Sequence, residues 1–101
     1  MRRVMHGDLT AAARACLAAP PGARAALAAR LLEEAHAGHR YHRRFRRPHP
    51  RLGDGSLMVR ARRERLVDEP PLSDPEYAAC LVLMLESLAR WRAGRVPGRG
   101  A

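Results

Sequence analysis

The chain has 101 residues, of which 47% are hydrophobic and only four are aromatic (Tyr41, Phe45, Tyr77 and Trp91), and it carries a formal net charge of +9. A chain of this length predicts one domain with a modest core, and its longest apolar run, Tyr77 to Leu85, is far short of the ~20 residues of a membrane-spanning helix, so no membrane partner is expected. All 19 basic residues are arginine, and Lys, Asn, Gln and Ile are absent beside 19 alanines, a GC-rich coding bias that makes the placement of charge more informative than its amount.

Residues 1–7 form a short basic lead, without the apolar core of a signal peptide. Asp8 is the expected N-cap of a first helix from Leu9 to about Ala18, where Leu9, Ala12, Ala13, Cys16 and Leu17 recur at the spacing of one helical stripe. Pro20-Pro21-Gly22 ends it, because proline removes a donor and biases the residue before it away from helix. A second helix is predicted from Pro21 to about Arg46, with Leu27, Ala28, Leu31, Leu32, Ala35, Gly38, His42 and Phe45 on one arc and Arg40, Arg43, Arg44 and Arg47 on the other. Gly38 weakens this helix by roughly 1 kcal/mol relative to Ala and marks where it would break or bend.

Pro48-His49-Pro50 stops the second helix, and Gly53-Asp54-Gly55-Ser56 turns the chain into a third, from about Ser56 to Leu66, capped by Asp54 or Ser56. Leu57, Met58 and Ala61 give it a small buried face, and Arg60, Arg62, Arg63 and Arg65 are expected to point away. After an extended connection through Pro70-Pro71, Asp74-Pro75-Glu76 signals the last helix, Pro75 to Arg92, by its cap, its first-turn proline and its acid at the positive end of the helix dipole. Its stripe of Tyr77, Cys80, Leu81, Met84, Leu85, Leu88 and Trp91, with Val82 and Leu83 on the other side, predicts a central helix covered by its neighbours or by another subunit. The expected fold is therefore an all-α bundle of about four helices over residues 1–93, with the apolar C-terminal helix at its centre and a flexible basic tail over 94–101.

Charge is segregated. Residues 36–65 hold ten arginines against Asp54 and Glu64, which is +8, whereas residues 1–35 come to +2 and 66–101 to −1. The arginines of this stretch are also what any amphipathic helix shows to water, but their planar guanidinium forks suit phosphate, and Tyr41 and Phe45 are interleaved with them. Arg40, Arg43, Arg44, Arg47, Arg51, Arg60, Arg62 and Arg63 are the candidate nucleic-acid contacts. The span from Arg40 to Arg65 approaches the size of a helix-turn-helix, yet its proline-rich connection is too long for one, and there is no Asn, Gln or Lys to read bases beside arginine.

Other chemistry finds less support. His36, His39 and His42 stand three residues apart and His49 follows, but the first three do not share one helix face and no C-x-x-C or H-E-x-x-H pattern is present. Ser56 lacks the turn of a serine nucleophile. Cys16 and Cys80 lie on apolar stripes and read as buried, reduced thiols in a cytoplasmic protein. No cofactor, metal or catalytic residue is expected.

The Ala-rich first half, R-Y-H-R-R-F-R-R-P-H-P-R-L-G-D-G-S-L-M and D-P-E-Y-A-A-C-L-V-L-M-L-E together resemble short uncharacterised helical proteins of Rhodobacter-type alphaproteobacteria, over most of the chain. That resemblance brings no activity with it. Phage-like and gene-transfer-agent accessory proteins, such as small terminase subunits, are similar in size and class alone. The leading expectation is a non-enzymatic, nucleic-acid-associated accessory protein, of a DNA packaging or regulatory kind, that binds the phosphate backbone of DNA or RNA. The alternatives are an adaptor or homo-oligomeric assembly component that meets an acidic protein partner, and a small metal-dependent enzyme centred on the histidines.

Overall fold

The computed structural model describes residues 1–94, and of the tail expected over 94–101 only Gly94 lies within them. Helix α1 runs His6–Ala18, α2 Arg24–Phe45, α3 Leu57–Ala61 and α4 Pro75–Ala93, with a 3-10 turn at Pro21–Ala23 leading into α2. Among the described residues the only β-type pairing is a single bridge between His49 and Gly53. The expected all-α bundle of four helices is what the chain forms.

Helix α1 starts three residues earlier than the apolar spacing indicates. Asp8 is its third residue, not its N-cap, and its carboxylate reaches back to accept the Met5 amide at 2.8 Å. Ala11, Ala12, Ala13, Ala15 and Cys16 are all buried, and α1 packs against α2, α3 and α4. Alanine makes this possible, because a short side chain lets neighbouring helices approach on several sides at once. At the other end of α1, Arg24 closes the helix by donating to the carbonyls of Cys16, Leu17 and Ala19 at 3.0–3.1 Å. The Ala19 amide also donates to the Cys16 carbonyl, at 3.0 Å, so the guanidinium supplements that bond, and a cation there suits the helix dipole.

Helix α2 buries Leu27, Ala28, Leu31, Leu32, Ala35 and Gly38, but the expected arc stops there: His42 is half-buried and Phe45 is 48% exposed. Gly38 does not interrupt the helix. Its role is steric, since a Cβ at this position would lie 2.6 Å from the Leu52 carbonyl oxygen. The helix ends at Phe45 because Arg46 takes a left-handed conformation, φ 58°.

Helix α3 is five residues long and ends at Ala61, short of the expected Leu66. Of the two expected caps, Ser56 holds the position, accepting the Val59 amide at 3.3 Å. Of its apolar side chains Leu57 and Ala61 are buried, about one turn apart, and the Arg62-Arg63-Glu64-Arg65 run beyond has no apolar residue to hold a second turn against the core. What fixes α3 is Asp8, whose Oδ1 accepts the Met58 amide at 2.8 Å and the Ser56 hydroxyl at 3.1 Å.

Helix α4 begins as its sequence signals, with Asp74 accepting the Tyr77 amide at 2.9 Å and Pro75 in the first turn. It packs on α1 and α2 through Tyr77, Cys80 and Met84. It is not a helix covered on nearly all faces: Val82 and Leu85 are each 53% exposed, and α1 has the better claim to the centre. Tyr77, Leu31, Leu32, Leu57 and Met84 are the largest fully buried side chains, each contributing about 1.5–3 kcal/mol. Cys16 and Cys80 are free and buried; burial, with Cys80 nearby, pushes the Cys16 thiol up to about 11, and burial raises the Cys80 thiol as well.

Candidate nucleic-acid interface

The basic stretch splits into arginines that hold the fold and arginines that face water. Arg60 belongs to the first group and is the correction to the expected site. It is 6% exposed, its Nε and Nη2 contact Glu34 Oε1 at 2.7 and 2.6 Å, and Nη2 also contacts Glu64 Oε2 at 3.0 Å. Two carboxylates on one guanidinium leave it no charge to offer a phosphate. It faces inward because α3 lies against α2, which brings Arg60 over Glu34, a residue distant in sequence.

Arg40, Arg43, Arg44, Arg47, Arg51, Arg62 and Arg63 are all exposed. Ion pairs among the described residues use Arg2, Arg24, Arg30 and Arg60, and none of these seven. Arg40, Arg43 and Arg44 project from the last turns of α2. Arg47 does not continue their stripe, because the left-handed Arg46 turns the chain off the helix axis before it. Arg46 and Arg65, outside the expected set, are exposed as well.

Aromatic rings organise the end of α2. Tyr41 meets Phe45 with ring centres 4.6 Å apart and His49 edge-on at 4.7 Å, and the Arg44 guanidinium lies 5.5 Å from the centre of the Phe45 ring. Arg40, Tyr41 and Arg44 line a shallow cleft of about 340 Å³. A second cleft, about 490 Å³, brings Arg51 of the loop beside Arg63 of the turn after α3, over the Arg60 ion-pair cluster. Arginines from separate segments thus converge in space, which residue spacing alone does not specify.

The loop between α2 and α3 is built rigidly. His49 and Gly53 exchange backbone hydrogen bonds at 2.9 and 3.1 Å, and His49 Nδ1 accepts the amides of Arg51 and Leu52 at 3.0 Å each. That acceptor role places the His49 ring proton on Nε2. Gly53 and Gly55 have φ of 81° and 103°, and a Cβ on Gly55 would sit 2.5 Å from the Cβ of His39. Asp54 accepts the Ser56 amide at 3.0 Å and pairs with Arg2 at 3.4 Å.

The four clustered histidines have different surroundings. His36 contacts the Met1 amino group at 2.6 Å and stands edge-on to Trp91. His39 is pressed against Gly55, and burial, reinforced by the Met1 ammonium, Arg43, Arg2 and His42, holds its pKa below the usual 6.5. Among the described residues no three His, Cys, Asp or Glu side chains converge as a ligand set. Helix α3, at five residues, is too short to lie along a DNA groove as a recognition helix, so the approximate size match to a helix-turn-helix does not extend to its geometry.

Residues 2–88 match a family described as Domain of unknown function (DUF7742). The chain belongs to that family. Comparison with curated proteins and with solved structures returns no match. The matched span takes in α1, α2, α3, the arginine-bearing loop and most of α4, so the elements described above are those of the family's domain. Among the described residues no helix is long and apolar enough to cross a membrane.

Proposed function

We propose that this chain is a non-enzymatic, nucleic-acid-associated accessory protein that holds the phosphate backbone of DNA or RNA through Arg40, Arg43, Arg44, Arg47, Arg51, Arg62 and Arg63. The supporting observation is that these seven are exposed and take part in no ion pair among the described residues, while the acids of the same region, Glu64 and Asp54, are committed to Arg60, Arg30 and Arg2. Unneutralised guanidinium groups attract a polyanion and release its condensed counterions on contact. Tyr41 and Phe45 beside Arg40 and Arg44 supply faces on which an unpaired base can stack. Phosphate contacts carry no sequence information, so the reading is one of backbone binding without sequence preference.

The test is a salt titration of binding to one random duplex and one random single strand. If all seven arginines meet a phosphate, the slope of log K against log salt is about −6 on duplex DNA. Arg43→Ala with Arg44→Ala should flatten that slope by about two units and weaken all sequences alike. Binding without salt dependence, or a double variant that binds as tightly as the parent, refutes the proposal and leaves an acidic protein surface as the partner of this face.

A further inference from the structure

We infer that the outward face of α4 is a self-association surface on which a second copy of the chain packs antiparallel. The face opposite the buried one carries Ala78, Val82, Leu85 and Ala89, separated by four, three and four residues, the spacing of a coiled-coil seam. Val82 and Leu85 are each 53% exposed, and Ala89 is exposed as well. Leu81 and Leu88, at the edge of this stripe, pack partly against the core, so the seam is continuous with the interior rather than an isolated apolar spot.

Three features select a second copy as the occupant. The stripe is small, large, large, small, and so has the same profile read from either end. With a two-fold axis between residues 83 and 84, Val82 meets Leu85 of the partner subunit and Ala78 meets Ala89 of the partner subunit. The alanines at both ends allow the helices to approach closely, and the large pair fills the middle. A two-fold contact of this kind requires a patch that complements itself, and this one does.

The charges choose the direction. Asp74 and Arg92 lie at opposite ends of α4 on the same side of the seam. Antiparallel packing sets Asp74 within one residue of Arg92 of the partner subunit, and does so twice. Asp74 uses Oδ1 to cap the helix and keeps Oδ2 for this contact. Parallel packing would instead place Arg92 against its own copy, Asp74 against its own copy, and the two helix dipoles side by side. Along the flanks of the antiparallel seam, Glu86 falls near Ala79 of the partner subunit, so no like charges meet.

This association is independent of the proposed arginine face and is tested without nucleic acid. In sedimentation of the full chain over a concentration series, a monomer–dimer equilibrium with a dissociation constant on the order of ten micromolar is expected for so small a seam. Leu85→Asp should shift the chain to monomer while leaving its helical signal unchanged. Direction is read from single cysteines joined by a short bis-maleimide, with Cys16 and Cys80 buried and out of reach. A mixture of Ala78→Cys and Ala89→Cys chains should cross-link into the mixed dimer more than either variant with itself. Wild-type chain that stays monomeric at about 100 µM, or Ala78→Cys that links to itself as readily as to Ala89→Cys, overturns the inference. If Leu85→Asp loses its helical signal, the cysteine mixture decides by the same criterion.

Discussion

Removing the Asp8 carboxylate should do more damage than its place in the first turn of a short helix suggests. Asp8 is 7% exposed and accepts three hydrogen bonds: from the Met5 amide, the Met58 amide and the Ser56 hydroxyl. A hydrogen bond to an ionised group contributes about 1.5–3 kcal/mol, and a buried donor left without an acceptor loses its hydration besides. Met5 is exposed, so water replaces that partner, but the Met58 and Ser56 donors sit at the α1–α3 junction, and Asp8→Ala should lose about 3–4 kcal/mol in all. For a domain of this size that is a fall in Tm of roughly 12–30 °C. Asp8→Asn keeps one acceptor oxygen and should lose about half as much. Urea and thermal melts followed by circular dichroism give the magnitude, and hydrogen exchange at the Met58 amide locates it, since α3 should open before the rest. An Asp8→Ala protein within about 1 kcal/mol of the parent would refute the idea that this carboxylate ties α3 to α1.

Arg60→Ala should reduce stability by about 2–3 kcal/mol, discounted from a fully buried pair because Glu34 and Glu64 are partly exposed, yet leave the salt slope of nucleic-acid binding unchanged; a flattened slope in a folded variant would return Arg60 to the binding face. Stability should also fall as pH rises above about 9, the ordinary value for a thiol. The unfolded chain ionises its Cys16 thiol there, whereas the folded chain holds that proton until about 11, and burial together with the Glu69 hydrogen bond raises the Tyr77 phenol in the same direction. Urea midpoints at pH 8 to 11, compared between the parent and Cys16→Ala, should show a shallower alkaline loss in the variant, and parallel curves would show that Cys16 is not a source of it.

Elements whose signals are local could be read from sequence. The Asp74-Pro75 start of α4, the Ser56 cap of α3 and the proline break after α1 depend on neighbours a few residues away. What could not be read depends on distant partners. Asp8 and Ser56 are 48 residues apart, and Arg60 and Glu34 are 26 apart; without those contacts Asp8 passes for an N-cap and Arg60 for one more surface arginine. Within one chain the central place falls to α1 and not to α4 for a different reason. Hydropathy weights Leu and Val above Ala, whereas packing put the alanine-rich α1 between three partners and left Val82 and Leu85 outward. Of the candidate site, the exposed arginines on α2 followed from periodicity, but the cleft joining Arg51 to Arg63 required the loop to fold back, and the signals for that fold were Gly38, Gly53 and Gly55.

The close passage of the loop over Gly38 bears on how tightly the proposed face would hold an anion. A basic loop that is loose in the free protein loses backbone freedom when it docks, at about 1–2 kcal/mol per residue fixed. Here the backbone from His49 to Ser56 is already seated, by the His49–Gly53 exchange, the amides on His49 and the glycine contacts with α2. Only the arginine side chains remain to be ordered, at about 0.5–1.5 kcal/mol each. Gly38 therefore acts at a distance from any ligand: a methyl group at that position would lift the loop and turn a preset platform into a segment that has to be organised anew with each encounter.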